Sequence, residues 1–295
     1  MSNFILSCCS TADLTKKHFD ERDVKYLCFH YMLDGKTYDD DLGETMTLDE
    51  FYSKLKGGSD CSTSQVNISE YLDFFTKYLE QGLDVLHIAI SSGISGSSNS
   101  ARNAAEIAAE RFPDRKIYVV DSLAASSGFG LIMDKLADMR DEGKTIDELK
   151  NWIEENKLRM HHWFFSTDLT FFVKGGRVSK ASGWVGGILN ICPLLNVDYM
   201  GRLIPRHKAR GKKNVIQETL KRMEMYAENG LDYSDKCYIS HSDSLEDATT
   251  LKNLIEAKFP KLKGEVELYN IGTTIGCHSG PGTVAVFFWG EPRKD

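Results

Sequence analysis

Almost nothing in this sequence announces a metal or a nucleotide. Its seven cysteines form no C-x-x-C pair and no zinc-ligand spacing, and the adjacent Cys8 and Cys9 suit neither an ordinary disulfide nor a metal clip. Reduced thiols packed as small apolar groups are expected, together with a cytoplasmic location. A G-x-x-x-x-G-K phosphate loop is missing, and no G-x-G-x-x-G follows the first apolar run, so no nucleotide cofactor is expected. Basic charge is in deficit: the formal net charge of −7 has the wrong sign for a general nucleic-acid binder. The opening residues MSNFILSCCSTADL lack a basic start and a long apolar core, so no secretory leader is expected. No apolar run reaches the length of a membrane span; the best, GWVGGILNICPLLNV, is interrupted by Asn190, Cys192 and Pro193.

What is present reads as an α/β protein. With 295 residues the chain is long enough for two domains, or one large one, with a substantial core. Through the first half, short apolar runs (FILS, VKYLCFHYML, DVLHIAI, KIYVVD) alternate with helical patterns, the signature of a mainly parallel sheet. Thr47-x-x-Glu50 and Thr145-x-x-Glu148 are capping-box signatures that open two of the helices. Past residue 160 the texture changes to strands such as HHWFFS, KCYISH, EVELYNI and TVAVFFW, with YMGR as a hairpin turn and two helices interleaved. This places an N-terminal α/β domain at 1–160 and a C-terminal α/β domain with a mixed sheet at 161–295.

Three hydroxyl-rich stretches are expected as loops: CSTSQ (61–65), SSGISGSSNS (91–100) and DSLAASSGFG (121–130). The last two leave the carboxyl ends of strands and open helices, where ligands of open α/β sheets bind and where free N–H groups meet anions. Serine caps helices, but six serines in ten residues exceed what capping needs. Ser95 is the candidate among them. GISGS also approaches the G-x-S-x-G elbow of a serine hydrolase, with His241, Asp243 and His278 as available partners. It departs from that elbow because Ser97 stands where the second glycine belongs. The run RLIPRHKARGKK (202–213) concentrates six basic residues in an acidic chain, a solvated face or a contact for a partner, a phosphorylated ligand or a membrane surface. Near the end, TIGCHSGPGT sets His278 among glycines that let backbone turn or approach closely.

In order, STADL, TSQ, SSGISGS, VVDS, KGGRVS, KARGKK and IGCHSGPG resemble the DegV family of bacterial fatty-acid-binding proteins over nearly the whole chain. The resemblance implies two α/β domains with a long-chain fatty acid buried between them and its tail in an apolar tunnel. It implies a carboxylate held by Thr63 and Ser95 with His278 nearby, and an anion or partner contact for Arg177 and Arg210. A lipid carrier rather than an enzyme is implied, with no catalytic residue, metal or cofactor of its own. The carrier would present its fatty acid to a separate fatty acid kinase, with a transient membrane-surface contact and no nucleic acid among its partners. Two alternatives stand beside it: a serine hydrolase of lipid esters or thioesters using Ser95, and a regulatory protein whose lipid is structural. Val66 departs from the family where proline usually follows the glutamine of TSQ, as do Cys8 and Cys9 before STADL, Cys192, and Thr273–Thr274. Phe164, Phe165, Phe171, Phe172, Trp184, Ile188 and Leu189 are candidates for the tunnel wall, and core packing explains them equally well. The glycines of SKASGWVGGILNICPLL would allow a mobile cover over it.

Overall fold

The structure, a computed structural model, describes residues 3–179 and 190–294. Trp184, Ile188, Leu189 and most of the expected cover lie outside the described residues. Four parallel strands form the first sheet: β1 (Phe4–Cys9), β2 (Val24–Leu27), β6 (Asp84–Ala89) and β7 (Ile117–Asp121), in the order β2-β1-β6-β7. A second, mixed sheet of six strands is built from β8 (Met160–Ser166), β9 (Ile191–Val197), β10 (Leu203–Arg210), β11 (Tyr238–His241), β12 (Glu267–Asn270) and β13 (Thr283–Trp289). Its order is β10-β9-β8-β13-β11-β12. The protein thus has two α/β domains, parallel in the first and mixed in the second.

The expected long strand VKYLCFHYML breaks in two. Phe29 ends its pairing because its N–H donates to Ser10 Oγ at 3.0 Å and its carbonyl accepts from Asp40 N–H at 2.7 Å. Beyond it, β3 (His30–Leu33) joins β4 (Lys36–Asp39) and β5 (Cys61–Ser64) in a small antiparallel sheet that the apolar pattern did not disclose. CSTSQ is therefore largely a strand and not a loop.

The helices follow their caps. Helix α2 (Leu48–Lys56) starts where the Thr47 hydroxyl accepts from Glu50 N–H, and α6 (Ile146–Asn156) carries a full capping box from Thr145 and Glu148. Helix α3 (Ile68–Leu79) has its own box from Asn67 and Glu70. The Ala-rich α4 (Ser97–Arg111) and the long α5 (Ser126–Asp141) open immediately after the two serine-rich stretches. Helix α5 is shared, lying against β1 and also against β8, β11 and β13. Short α1 (Lys16–Glu21) and α7 (Thr170–Lys174), then α8 (Lys212–Tyr226), α9 (Leu245–Lys258) and α10 (Thr273–Ser279), complete the set used below.

TIGCHSGPGT, whose glycines are expected to let backbone turn or approach closely, contains most of α10. Its glycines receive protein side chains: Gly280, at φ 63°, leaves space that the Phe171 ring fills, and a Cβ there would lie 2.2 Å from that ring. Two buried carboxylates fix the start of this helix. Asp13, the acid of STADL, accepts from Gly272 N–H at 3.0 Å and from Ser126 Oγ at 2.5 Å. Asp40 accepts from Thr273 Oγ1 at 2.7 Å and from Ser10 Oγ at 3.0 Å. Burial pushes the Asp13 carboxyl well above the ordinary range, against the lowering effect of its hydrogen bonds.

A third buried acid ties the domains together. Asp134 on α5 meets His18 Nε2 at 3.2 Å and Arg22 Nε at 3.3 Å from the first domain. From the second it receives Lys236 Nζ and the Tyr238 hydroxyl, the latter at 3.1 Å. Expected as free thiols, Cys61 and Cys277 are instead joined as a disulfide between β5 and α10. Long-range contact, which spacing along the chain does not reveal, brings them together.

Candidate functional site

Between the two sheets lies a cavity of about 640 Å³, within the ~300–1,000 Å³ typical of small-molecule sites. Strand periodicity builds its floor. Successive inward positions of β8 and β13 are paired across the ladder, Phe164 with Ala285 and His162 with Phe287, and all four line the space. Phe165 points to the opposite face of the same strand and is core. Phe172 of α7 lines the cavity beside Phe164, their rings 5.7 Å apart, whereas Phe171 packs on Gly280. The wall is therefore mostly apolar.

One end is polar. Thr63 on β5, Ser95 before α4, His278 on α10 and Arg177 after α7 all line it. Thr63 Oγ1 and His278 Nε2 are 2.7 Å apart, while His278 Nδ1 is buried with no hydrogen-bond partner among the described residues. Burial, reinforced by the charge of Arg177, pushes the imidazole down to about 4, so it is neutral near pH 7. A neutral ring and a hydroxyl share two protons, and one is used between them. If Nε2–H donates to Thr63, the hydroxyl proton is free; if Thr63 donates to Nε2, then Nδ1–H is free. In either tautomer one proton is left over: on the Thr63 hydroxyl it suits an incoming oxygen acceptor, whereas on the buried Nδ1 it lies against Gly175.

Ser95 Oγ accepts from Ser97 N–H at 3.2 Å. Among the described residues no histidine is hydrogen-bonded to it. Asp243 is ion-paired with Lys56, and His241 Nδ1 accepts from Ser244 N–H at 3.4 Å, so the hydrolase partners are not assembled around Ser95. Arg177 is held by two carbonyls, donating from Nε to Ile94 at 3.2 Å and from Nη1 to Gly175 at 2.6 Å. No carboxylate pairs with it among the described residues. Arg210 stands at the exposed end of β10 and does not line the cavity.

Sequence reasoning missed His162. Its Nε2 accepts from Ala125 N–H, and its Nδ1–H donates to the Met160 carbonyl, both at 3.2 Å. Those partners fix a single neutral tautomer in the cavity floor. Strand alternation from Phe164 was the available signal. Gly175 of KGGR was noticed, but its role is spatial: a Cβ there would meet His278 Nδ1 at 2.2 Å. Gly175→Ala is expected to displace the imidazole and loosen the polar end, at a cost of about 1–3 kcal/mol from overpacking. Thermal melting of the variant, with the His278 imidazole resonances followed by NMR, checks both effects.

A mostly apolar cavity with a neutral hydroxyl–imidazole pair and, among the described residues, an arginine without a carboxylate at one end marks a candidate small-molecule site in a two-domain α/β protein. The chain belongs to the DegV family, whose sequence profile, described as "Uncharacterised protein, DegV family", matches residues 9–291. A DegV domain-containing protein of Clostridium perfringens is 37% identical, with both chains covered completely. Among solved structures, one titled for fatty acid binding by a DegV family protein of Thermus thermophilus superposes with a TM-score of 0.85 at 26% identity, covering 97% of this chain and 99% of its own. The Fatty Acid Kinase (Fak) B3 protein of Streptococcus pneumoniae, loaded with linoleic acid, shares the fold at 22% identity with a TM-score of 0.82 over 99% of this chain and 100% of its own. No helix among the described residues is long and apolar enough to cross a membrane.

Proposed function

We propose that this protein binds a long-chain fatty acid, with the tail in the apolar cavity and the carboxylate at Thr63, Ser95 and His278. The observation that carries the reading is the polar end itself: the Thr63 hydroxyl, free to donate when the neutral His278 donates to it, and an arginine without a carboxylate among the described residues, at the head of an apolar space. A tail of about 14 methylenes contributes at most ~11 kcal/mol of transfer energy, reduced by the ordering of tail and ligand. The tail supplies affinity and the polar end supplies orientation, since a buried carboxylate is tolerated only when hydrogen-bonded. Denaturing extraction of purified protein followed by mass spectrometry tests this: a stoichiometric fatty acid is expected. An empty extract, with no uptake of added oleate or palmitate, ends the proposal.

Because the imidazole is neutral near pH 7, oleate affinity is expected to be flat from about pH 6 to 8. An inflection near 6.5, the ordinary histidine value, in a fluorescence titration would show that His278 protonates and that its burial does not govern binding.

Presentation of the bound acid to a separate kinase is the finer part of the proposal. In its support, an open groove lined by Arg177, Arg202 and Leu203 adjoins the polar end, and exposed Arg210 follows on the same strand. Such a surface suits a phosphorylated product and an acidic partner face. With a fatty acid kinase and ATP, acyl phosphate is expected to form on the bound lipid. Arg210→Glu is expected to slow that transfer without changing lipid content; an unchanged rate removes Arg210 from the docking face.

A further inference from the structure

The disulfide occupies a particular place. Cys61 lies two residues before Thr63 on β5, so both project from the same face of the strand, and Cys277 immediately precedes His278 on α10. The bonded residues, 216 positions apart in the chain, have Cα atoms 5.6 Å apart, inside the ~4.4–6.8 Å span of ordinary disulfides. The crosslink therefore joins the same two elements as the Thr63–His278 hydrogen bond.

The other links between the small sheet and α10 are noncovalent, among them the Thr273–Asp40 hydrogen bond. The small sheet and α2 share a separate apolar cluster, built around Tyr31, Phe51, Tyr52 and the two cysteines, which is detached from the main core. The Tyr52 hydroxyl adds one hydrogen bond to the Ile271 carbonyl at 2.7 Å. The remaining five cysteines are free, and four of them are buried. Burial pushes Cys9 and Cys28 up to about 12, which suppresses the thiolate that exchange needs.

We infer that Cys61 and Cys277 form a thiol–disulfide exchange site that sets how firmly the polar end of the cavity is closed. The oxidant is a low-molecular-weight disulfide. One cysteine thiolate attacks it, forming a mixed disulfide and releasing one small thiol. The second cysteine thiolate then displaces the other small thiol. Two protein thiols are oxidised, one reagent disulfide is reduced to two thiols, and both protons pass to the departing sulfurs. With the crosslink made, β5 and α10 cannot separate, and Thr63 stays within reach of His278. With it reduced, only noncovalent links resist opening: the small cluster, the Thr63–His278 and Tyr52–Ile271 hydrogen bonds, and the Thr273–Asp40 hydrogen bond at the start of α10.

The lipid arm of the test rests on the fatty-acid reading; the exchange arm does not. Full-length protein is equilibrated with dithiothreitol or with oxidised glutathione, and thiols are counted after denaturation. Seven are expected reduced and five oxidised. Amide hydrogen exchange is then followed over residues 273–279, and release of bound oleate is timed. Oxidation is expected to slow both by about tenfold, since it removes the opened states from the ensemble. The Cys61→Ser, Cys277→Ser variant is expected to match the reduced protein in either buffer. Seven thiols in the oxidised sample overturn the inference, as does equal oleate release from forms whose crosslink is confirmed. Absence of oleate binding in both forms overturns the fatty-acid reading, while equal amide exchange in the two forms overturns this one independently.

Discussion

Replacing Thr63 by valine and Ser95 by alanine together is expected to raise the dissociation constant for oleate at least about a hundredfold. Each substitution removes a hydroxyl from the polar end, and a hydrogen bond to a charged group is worth about 1.5–3 kcal/mol. Two such losses sum to at least ~3 kcal/mol, and each 1.4 kcal/mol is roughly tenfold in affinity. Thr63→Val also strips His278 Nε2 of its partner at 2.7 Å, leaving a ring with both nitrogens unsatisfied. The fold is expected to survive, because Thr63 keeps its β-branched shape as valine and Ser95 precedes α4 without being its N-cap. Isothermal titration with circular dichroism separates binding from folding. An unchanged dissociation constant would mean that the carboxylate lies elsewhere in the cavity.

Asp134→Ala is the second large effect, and it falls on stability. The carboxylate is buried and stands between His18, Arg22, Lys236 and Tyr238. Removing one partner of a buried ion pair costs about 3–5 kcal/mol, because charge is left without compensation. At ~2–4 °C per kcal/mol for a chain approaching this size, the melting temperature is expected to fall by roughly 10 °C. The same residue gives a pH dependence. Although burial alone would raise its pKa, His18, Lys236 and Arg22 together hold the carboxyl well below the usual range. A depressed folded-state pKa contributes stability that is present above the ordinary carboxylate value of about 4 and is lost as pH falls further. The variant is therefore expected to unfold over a shallower acid range than the parent. Differential scanning calorimetry from neutral pH to below pH 4 measures both effects, and identical profiles would show the cluster to be energetically neutral.

Local chemistry made much of the fold legible. Thr47, Thr145 and the periodic apolar faces marked helices at nearly their true bounds, and strand runs such as Asp84–Ala89 and Thr283–Trp289 stood out by composition. Motif order pointed to Thr63, Ser95, Arg177 and His278, which the fold brings to one end of one cavity. What stayed hidden depends on partners distant in sequence. VKYLCFHYML carries no mark at Phe29, because Ser10 and Asp40 make the break. His162 reads as one more residue of an aromatic strand until Ala125 and Met160 fix its ring. Cys61 and Cys277 have no shared spacing, and the glycines in and after α10 are explained only by distant side chains: Tyr52 and Phe51 at Gly276, Phe171 at Gly280 and Thr167 at Gly282.

Helix α5 serves as a party wall. It belongs by position to the first domain, yet one of its faces is the lining on which β8, β11 and β13 rest. A gene cut at residue 160 would leave its downstream product with an uncovered apolar sheet, and the upstream product with a helix facing water. Neither fragment would be a tenant able to stand alone. The halves are expected to melt in one transition, and to be inherited, exchanged or lost as one unit.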